Sequence, residues 1–288
     1  MGVVGSGYWA VSTHLPAALA SDFTLTGVWG RDAEKASVAA SGAGVTGFSD
    51  YEEFLREVDA VTLAVPPTVQ TELALRAIEQ GKHVMLEKPL GLSPEEGAAI
   101  VASVQRAGVA SSVNLTARFQ PEIATWMKER GEERWEGATL RWISDDLIAP
   151  GSPWAPSTWR QEHGALWDLG PHALSFLTLT LGEIAEIRAQ RHPESVTELR
   201  TVHERGAEAT VLLGQHSTAR ESVTQLSRGR EVSTPPPATT DGRKALMFGL
   251  NRLAERAATG SQDLSEIEQA LRITQHLSAA QRHLDAGV

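Results

Sequence analysis

The sequence predicts an α/β domain followed by an α+β domain: a doubly wound parallel sheet first, then a mostly antiparallel open sheet. Three observations predict it. Over the first 115 residues, short apolar runs alternate with helical patterns. A G-x-G-x-x-A turn, made by Gly5, Gly7 and Ala10, stands between the first strand and the first helix. After Asn114 the alternation stops, and strand-like segments follow one another through short turns. The expected division is residues 1–115 and 116–288, with the closing helix able to pack back on the first domain.

The elements follow in order. "GVVG" is a short apolar strand, and a helical pattern runs from its glycine turn to Leu19. "FTLTGVW" reads as a strand, and "DAEKASVAA" as a helix opened by Asp32. "GVTGF" gives a short strand, and "SDYEEFL" a helix with Ser49 and Glu52 in capping-box spacing. "VDAVTLAV" is a buried strand, followed by a helix to Gln80 and the strand "KHVMLE". "SPEEGAAIVASVQRAG" has Ser93 and Glu96 as a capping box, Pro94 at the first helical position and Gly108 as terminator. "VASSVNL" closes the alternation. Strands joined by helices of this length form a parallel sheet covered on both faces, with ligands at the carboxyl ends of the strands.

In the second half, "QPEIATWMKER" reads as a helix and "GATLRWISDD" as a strand. A loop rich in Pro, Ser and Trp runs from Leu147 to about His163, and one helix follows to about Leu181. "EIAEIRAQRH", "TELRTVHER", "AEATVLLGQH" and "ARESVTQLSR" are successive strands, and "STPPPATTDG" is an irregular connector. Two helices finish the chain. The last carries a capping box at Ser265 and Glu268 and the stripe Ile267, Leu271, Thr274 and Leu277.

Bulk properties narrow the function. The chain has 288 residues, 41% of them hydrophobic, enough for two cores. A net charge of −10 argues against nucleic acid or an anionic membrane as partner. There is no cysteine, which excludes disulfide and thiol chemistry and fits a cytoplasmic setting. No run approaches the ~20 apolar residues of a membrane span, and no signal segment opens the chain. Met1, Gly2 and Ser6 match a myristoylation pattern, which is rejected because Gly2 lies in a strand that must be buried.

The glycine turn carries the first chemistry. Gly5 permits the tight turn, Gly7 lets the backbone approach a pyrophosphate, and the small Ala10 lets helix pack on strand. Ser6, Tyr8 and Trp9 complete a loop whose N–H groups face the anion. At the end of the second strand Gly30 stands where an acid would hold the ribose 2′-hydroxyl of NAD, and Arg31 follows. A guanidinium there can bind a 2′-phosphate, so NADP is favoured over NAD. The alternatives are a solvated Arg31 with Asp32 only capping the next helix, or Asp32 reaching the ribose to restore NAD. Val65, Pro66, Pro67 and Thr68 should line the nicotinamide half of the cleft. In "GALWDLGPHALSFL", Asp168 and His172 are four apart and should share one helix face.

"GSGYWA", "EKPL" at Glu87–Leu90 and "WDLGPH" at Trp167–His172 together resemble one family. It is the oxidoreductase family named for glucose-fructose oxidoreductase, inositol dehydrogenase and the rhizopine-catabolism protein MocA. "AVPPTVQTELALRAIEQGKHVMLEKPL" is the most specific stretch. The resemblance implies a Rossmann domain, an open-sheet second domain and NAD(P)-linked hydride transfer at carbons of sugars, polyols and related hydroxy or keto compounds. It implies Lys88 as the active-site lysine, Asp168 and His172 as its partners across the cleft, Glu87 and Lys88 near the cofactor, and a cis Lys88–Pro89 peptide. The residue types suit such chemistry. His172 can take the hydroxyl proton, Lys88 can stabilise developing alkoxide or itself accept the proton, and Asp168 can orient the imidazole or bind a hydroxyl.

Around these, Asn114, Arg118 and Arg160 are candidates for binding substrate oxygens, Arg118 being equally suited to a surface ion pair. Six of the eight tryptophans lie between Trp126 and Trp167, so Trp154, Trp159 and Trp167 either wall a sugar pocket or pack in a core. No metal is expected; His163, Asp168 and His172 match no metal-ligand spacing. Gln70 stands where the family often has His. The chain is short for the family, and its first strand begins almost at Met1, so a mis-set or trimmed start is an open question. An exposed sheet face in the second domain would favour a homodimer or homotetramer. Two other functions stay open: a cofactor-binding sensor without turnover, and a reductase of a non-sugar carbonyl or imine.

Overall fold

The computed structural model describes residues 1–287, the side chain of Glu194 apart. It divides into two compact units. Unit 1 holds Met1–Gln120 and Thr240–Leu271, and unit 2 holds Pro121–Thr239 and the residues from Arg272 onward.

Six short strands form the sheet of unit 1: β1 (Gly2–Val4), β2 (Gly27–Trp29), β3 (Thr46–Phe48), β4 (Ala60–Leu63), β5 (His83–Leu86) and β6 (Ser111–Val113). They run parallel in the order β3-β2-β1-β4-β5-β6. The order reverses at β1, so the carboxyl ends of β1 and β4 mark the switch point where ligands bind. Gly2 is buried in β1, where a Cβ would lie 2.3 Å from the Phe54 ring. The chain leaves β1 through a π segment, Ala10–His14, before α1 (Leu15–Leu19).

Helix starts are written locally. In α2 (Ala33–Ala43), Asp32 caps the N–H of Lys35, and in α5 (Pro94–Ala107), Ser93 caps that of Glu96, with Gly108 ending the helix in the left-handed region. For α3 (Tyr51–Arg56) the cap is Asp50, not Ser49, because Tyr51, Phe54 and Leu55 must face inward together. α4 (Pro67–Glu79) opens on proline.

The expected cut at 115/116 is replaced by a chain that leaves unit 1 and returns. The reason is α9 (Gly242–Thr259), whose Leu246, Leu250 and Leu253 join Val3, Val28 and Met85 in one core. Arg256 then donates to Ser111 O at 3.2 Å and to Glu266 at 3.0 Å, and Ser112 donates to the same carboxylate at 2.7 Å.

Unit 2 contains α6 (Pro121–Gly131) and a six-stranded sheet of β7 (Gly137–Ile143), β8 (Ile184–His192), β9 (Val196–His203), β10 (Glu208–Gly214), β11 (Glu221–Arg228) and β12 (Glu231–Ser233). The order is β12-β11-β7-β10-β9-β8, with β7 and β10 parallel and every other neighbour antiparallel. β12 falls partly in the stretch read as connector; three residues carry too little periodicity to show.

The single helix expected around Asp168 is two. α7 (Thr158–Asp168) ends before α8 (Gly170–Leu181) begins. Pro171 has no N–H for the carbonyl of Trp167, and the His172 N–H goes instead to Leu169 O at 3.1 Å. Asp168 and His172 therefore flank a break rather than share one continuous face. The closing helix α10 (Ser265–Ala286) also starts differently: Asp263 takes the Ser265 N–H at 3.0 Å, so the expected Ser265–Glu268 capping box does not form.

Candidate functional site

The glycines of the first turn separate by role. Gly5 has φ +123°, and a Cβ there would sit 2.5 Å from Ala64 O, so the fold itself demands glycine. A Cβ on Gly30 would lie 2.7 Å from Ser6 Oγ, so a larger residue there would have to displace the Ser6 side chain. A Cβ on Gly7 would meet nothing within 4 Å. Packing therefore does not require its bareness, and the open backbone is what a diphosphate would approach. A cleft of about 750 Å³ lies here in unit 1, lined among others by Gly5, Ser6, Gly30, Arg31, Val65 and Pro66. These residues fit a dinucleotide.

Asp32 also borders the cleft, but its carboxylate accepts the Lys35 N–H at 3.1 Å and pairs with the Lys35 ammonium at 3.3 Å. The hydrogen bond from the Lys35 backbone is the main cause that holds its pKa below the usual carboxylate value. Arg31 is exposed beside it. Pro67, expected in the cleft, is instead buried at the first position of α4, which needs no N–H there. Tyr8 is exposed.

Lys88 follows β5, half-buried, and its peptide to Pro89 is cis, as the family resemblance implies. Glu87 is buried, and its Oε1 accepts from Asn114 Nδ2 at 2.7 Å, Trp9 Nε1 at 2.9 Å and His14 Nε2 at 3.1 Å. Its Oε2 accepts the Lys88 N–H at 3.3 Å. His14 is wholly buried, with Nδ1 2.8 Å from Thr62 Oγ1. Burial pushes the Glu87 carboxyl up, but the bond from His14, the charges of His14 and Lys88, and the Trp9 N–H together bring its pKa down to about 2. Trp9 and Glu87, expected near the cofactor, contact each other, and Asn114, expected at the substrate, is buried against Glu87. Convergent donors around one carboxylate hold all three.

In unit 2, Asp168 is buried, and its Oδ2 accepts from Gln215 Nε2 at 2.8 Å and Arg160 Nε at 2.9 Å. The Arg160 guanidinium also stacks on Trp154 at 4.4 Å and on Trp159 at 4.7 Å, so these two rings assemble around an ion pair. Trp167 is core: buried, with its N–H on Gln281 Oε1 at 3.1 Å. His172 is half-buried in the first turn of α8, and Arg118 half-buried in a 3-10 turn, Thr116–Phe119. Sequence reasoning missed His14 and Gln215. A lone His in "STHLP" and a lone Gln at a strand end carry no spacing signal. Among the described residues no cluster of three or more His, Asp or Glu could hold a metal, and no helix is long and apolar enough to cross a membrane.

Residues 1–115 match the model of the Gfo/Idh/MocA oxidoreductase family, NAD-binding Rossmann fold. A D-xylose 1-dehydrogenase (NADP(+)) of Haloferax volcanii is 32% identical over 123 residues, 42% of this chain and 38% of that protein. Matches to four such curated relatives span between 37% and 52% of their lengths, about half or less. Among solved structures, UDP-N-acetylglucosamine 3-dehydrogenase GnnA of Acidithiobacillus ferrooxidans has TM-score 0.84 at 19% identity, covering 99% of this chain and 97% of that one. A levoglucosan dehydrogenase in complex with NADH and levoglucosan has TM-score 0.84 at 17% identity, covering 100% and 97%. At these identities the structures show a shared fold.

Proposed function

We propose that the protein is an NAD(P)-dependent oxidoreductase that moves a hydride between nicotinamide and a carbon of a sugar, cyclic polyol or related hydroxy or keto compound. The observation that carries this is the turn at Gly7, bare without any packing reason, at the mouth of a cleft on the switch point of a parallel sheet. Gly5, Ser6, Gly7, Gly30, Val65 and Pro66 would hold the dinucleotide. When bound, the nicotinamide supplies the hydride acceptor or donor. The chain supplies the rest. Lys88 stabilises negative charge on the substrate oxygen, the His172 imidazole takes or returns the proton, and Arg160 and Gln215 fix the Asp168 carboxyl on the same unit as that imidazole. Names of relatives that include xylose, levoglucosan and a UDP-amino sugar support a carbohydrate substrate.

NADP is the preferred cofactor in this reading. Asp32 is engaged as a helix cap, position 30 carries no acid, and Arg31 is exposed at the cleft edge. Fluorescence titration should give tighter NADPH than NADH binding; the reverse overturns the preference. Gly7→Val should weaken both cofactors by tenfold or more at unchanged stability, whereas Gly5→Ala should unfold more easily. A Gly7→Val chain that binds both normally sinks the cofactor assignment. A screen of sugars, inositols and their keto forms with both cofactors then finds the substrate. A homo-oligomer through the open face of the second sheet is also proposed, tested by light scattering; a monomer would refute it.

A further inference from the structure

We propose that Gln70 is the positioning residue for Lys88: from α4 its amide grips the backbone on both sides of that lysine and so sets where the ammonium points. This rests on the reading of Lys88 as a catalytic group. Gln70 is wholly buried, and both polar atoms of its side chain are aimed at one tripeptide. Its Oε1 accepts the Glu87 N–H at 2.7 Å. Its Nε2 donates to Glu87 O at 2.8 Å and to Pro89 O at 3.1 Å.

The consequence lies in which peptide groups are held. The sheet ladder stops at Leu86, whose carbonyl takes the Asn114 N–H at 2.8 Å. One residue later no strand is available, and the Gln70 amide stands in for one, offering an acceptor and donors as a peptide group would. The peptide that precedes Lys88 is then fixed at both ends, its C=O by Gln70 and its N–H by Glu87 Oε2 at 3.3 Å. Beyond Lys88, Pro89 has no N–H, so its carbonyl is the handle available, and Gln70 holds that too. The Glu87 side chain that shares this duty is itself locked by Trp9, His14 and Asn114. Trp9 belongs to the glycine loop, so the same network ties the phosphate-facing turn to the strand end that carries Lys88.

The position of Lys88 can be read directly. The chain has five lysines, Lys35, Lys82, Lys88, Lys128 and Lys244. Reductive ¹³C-methylation gives each a separable NMR signal, with Lys88 assigned by its loss in Lys88→Arg. In Gln70→Leu the Lys88 signal should move toward that of the exposed Lys35 while the other lysines stay in place, and in Gln70→His, which keeps one donor and one acceptor, it should move back. With the substrate from the screen, kcat should fall about tenfold to a hundredfold in Gln70→Leu at unchanged NADPH affinity, and recover in Gln70→His. Gln70→Glu, of equal size but without donors, replaces Gln70→Leu if that chain fails to fold. An unmoved Lys88 signal overturns the proposal, and so does a shift of all five signals together, which would make the role one of general folding. A Lys88→Met chain with full turnover would instead defeat the catalytic reading of Lys88, leaving the lysine signal to judge the clamp alone.

Discussion

Glu87 is a carboxylate almost closed off from water that stays ionised because the hydrogen bonds and favourable charges around it outweigh its burial. Its pKa in the fold, about 2, lies below the ordinary 4.5. The stabilisation it contributes is therefore full above about pH 4.5 and is lost as pH falls toward 2. A shift of that size corresponds to ~3 kcal/mol. Denaturant unfolding of Glu87→Gln across this range should show a flatter acid limb than the parent and lower stability at pH 7. An acid limb that keeps the parent's slope would mean that other groups carry it. The sequence displayed Glu87 only as part of a motif. Its partners lie 78, 73 and 27 residues away along the chain, at Trp9, His14 and Asn114, so no local pattern could name them.

Among the elements, helix starts with a single strong cap were legible, as at Asp32 and Ser93, because the cap and its N–H are three residues apart. Where two capping residues adjoin, as at Ser49 and Asp50, the buried face of the helix chose between them. The break between α7 and α8 was present in the Gly170-Pro171 pair, yet the apolar run on both sides read as one helix. The attachment of α9 depended on a charge cluster hidden from local reading. Arg256 and Glu266 are both buried, and Arg256 also pairs with Asp263 at 2.9 Å. Arg256→Met leaves the Glu266 carboxylate with less compensation and should destabilise the protein by about 3–5 kcal/mol, read by denaturant unfolding. Replacing both, Arg256→Met with Glu266→Leu, should recover much of that loss. If the double variant is no better than the single, the cluster acts by packing rather than by charge.

At the scale of the whole molecule, the two residues assigned to charge and proton chemistry belong to different units, Lys88 to the first and His172 to the second. If the proposed reaction draws on both, Lys88→Met and His172→Ala should each lower kcat by a hundredfold or more while NADPH affinity stays at the parent value. Full turnover in either variant removes that residue from the chemistry. Each substitution lies in a half-buried position, so stability should change little. The resemblance carried by residues 1–115, and a parallel sheet followed by a mostly antiparallel one, could be read in advance because motif residues sit within short windows of sequence. The partition into units could not, because residues 240–271 return to a core built more than a hundred residues earlier.

By itself the sequence determined the alternation of strands and helices, the glycine turn and the residue types available for hydride-transfer chemistry. These depend on periodicity, backbone freedom and chemical identity, all local properties. Only the tertiary structure decided which glycine is bare without a packing reason, that Glu87 is held ionised, and that Gln70 completes the ladder beside Lys88. Those depend on distances between atoms far apart in the chain, which hydrogen bonding and burial set once the units have folded.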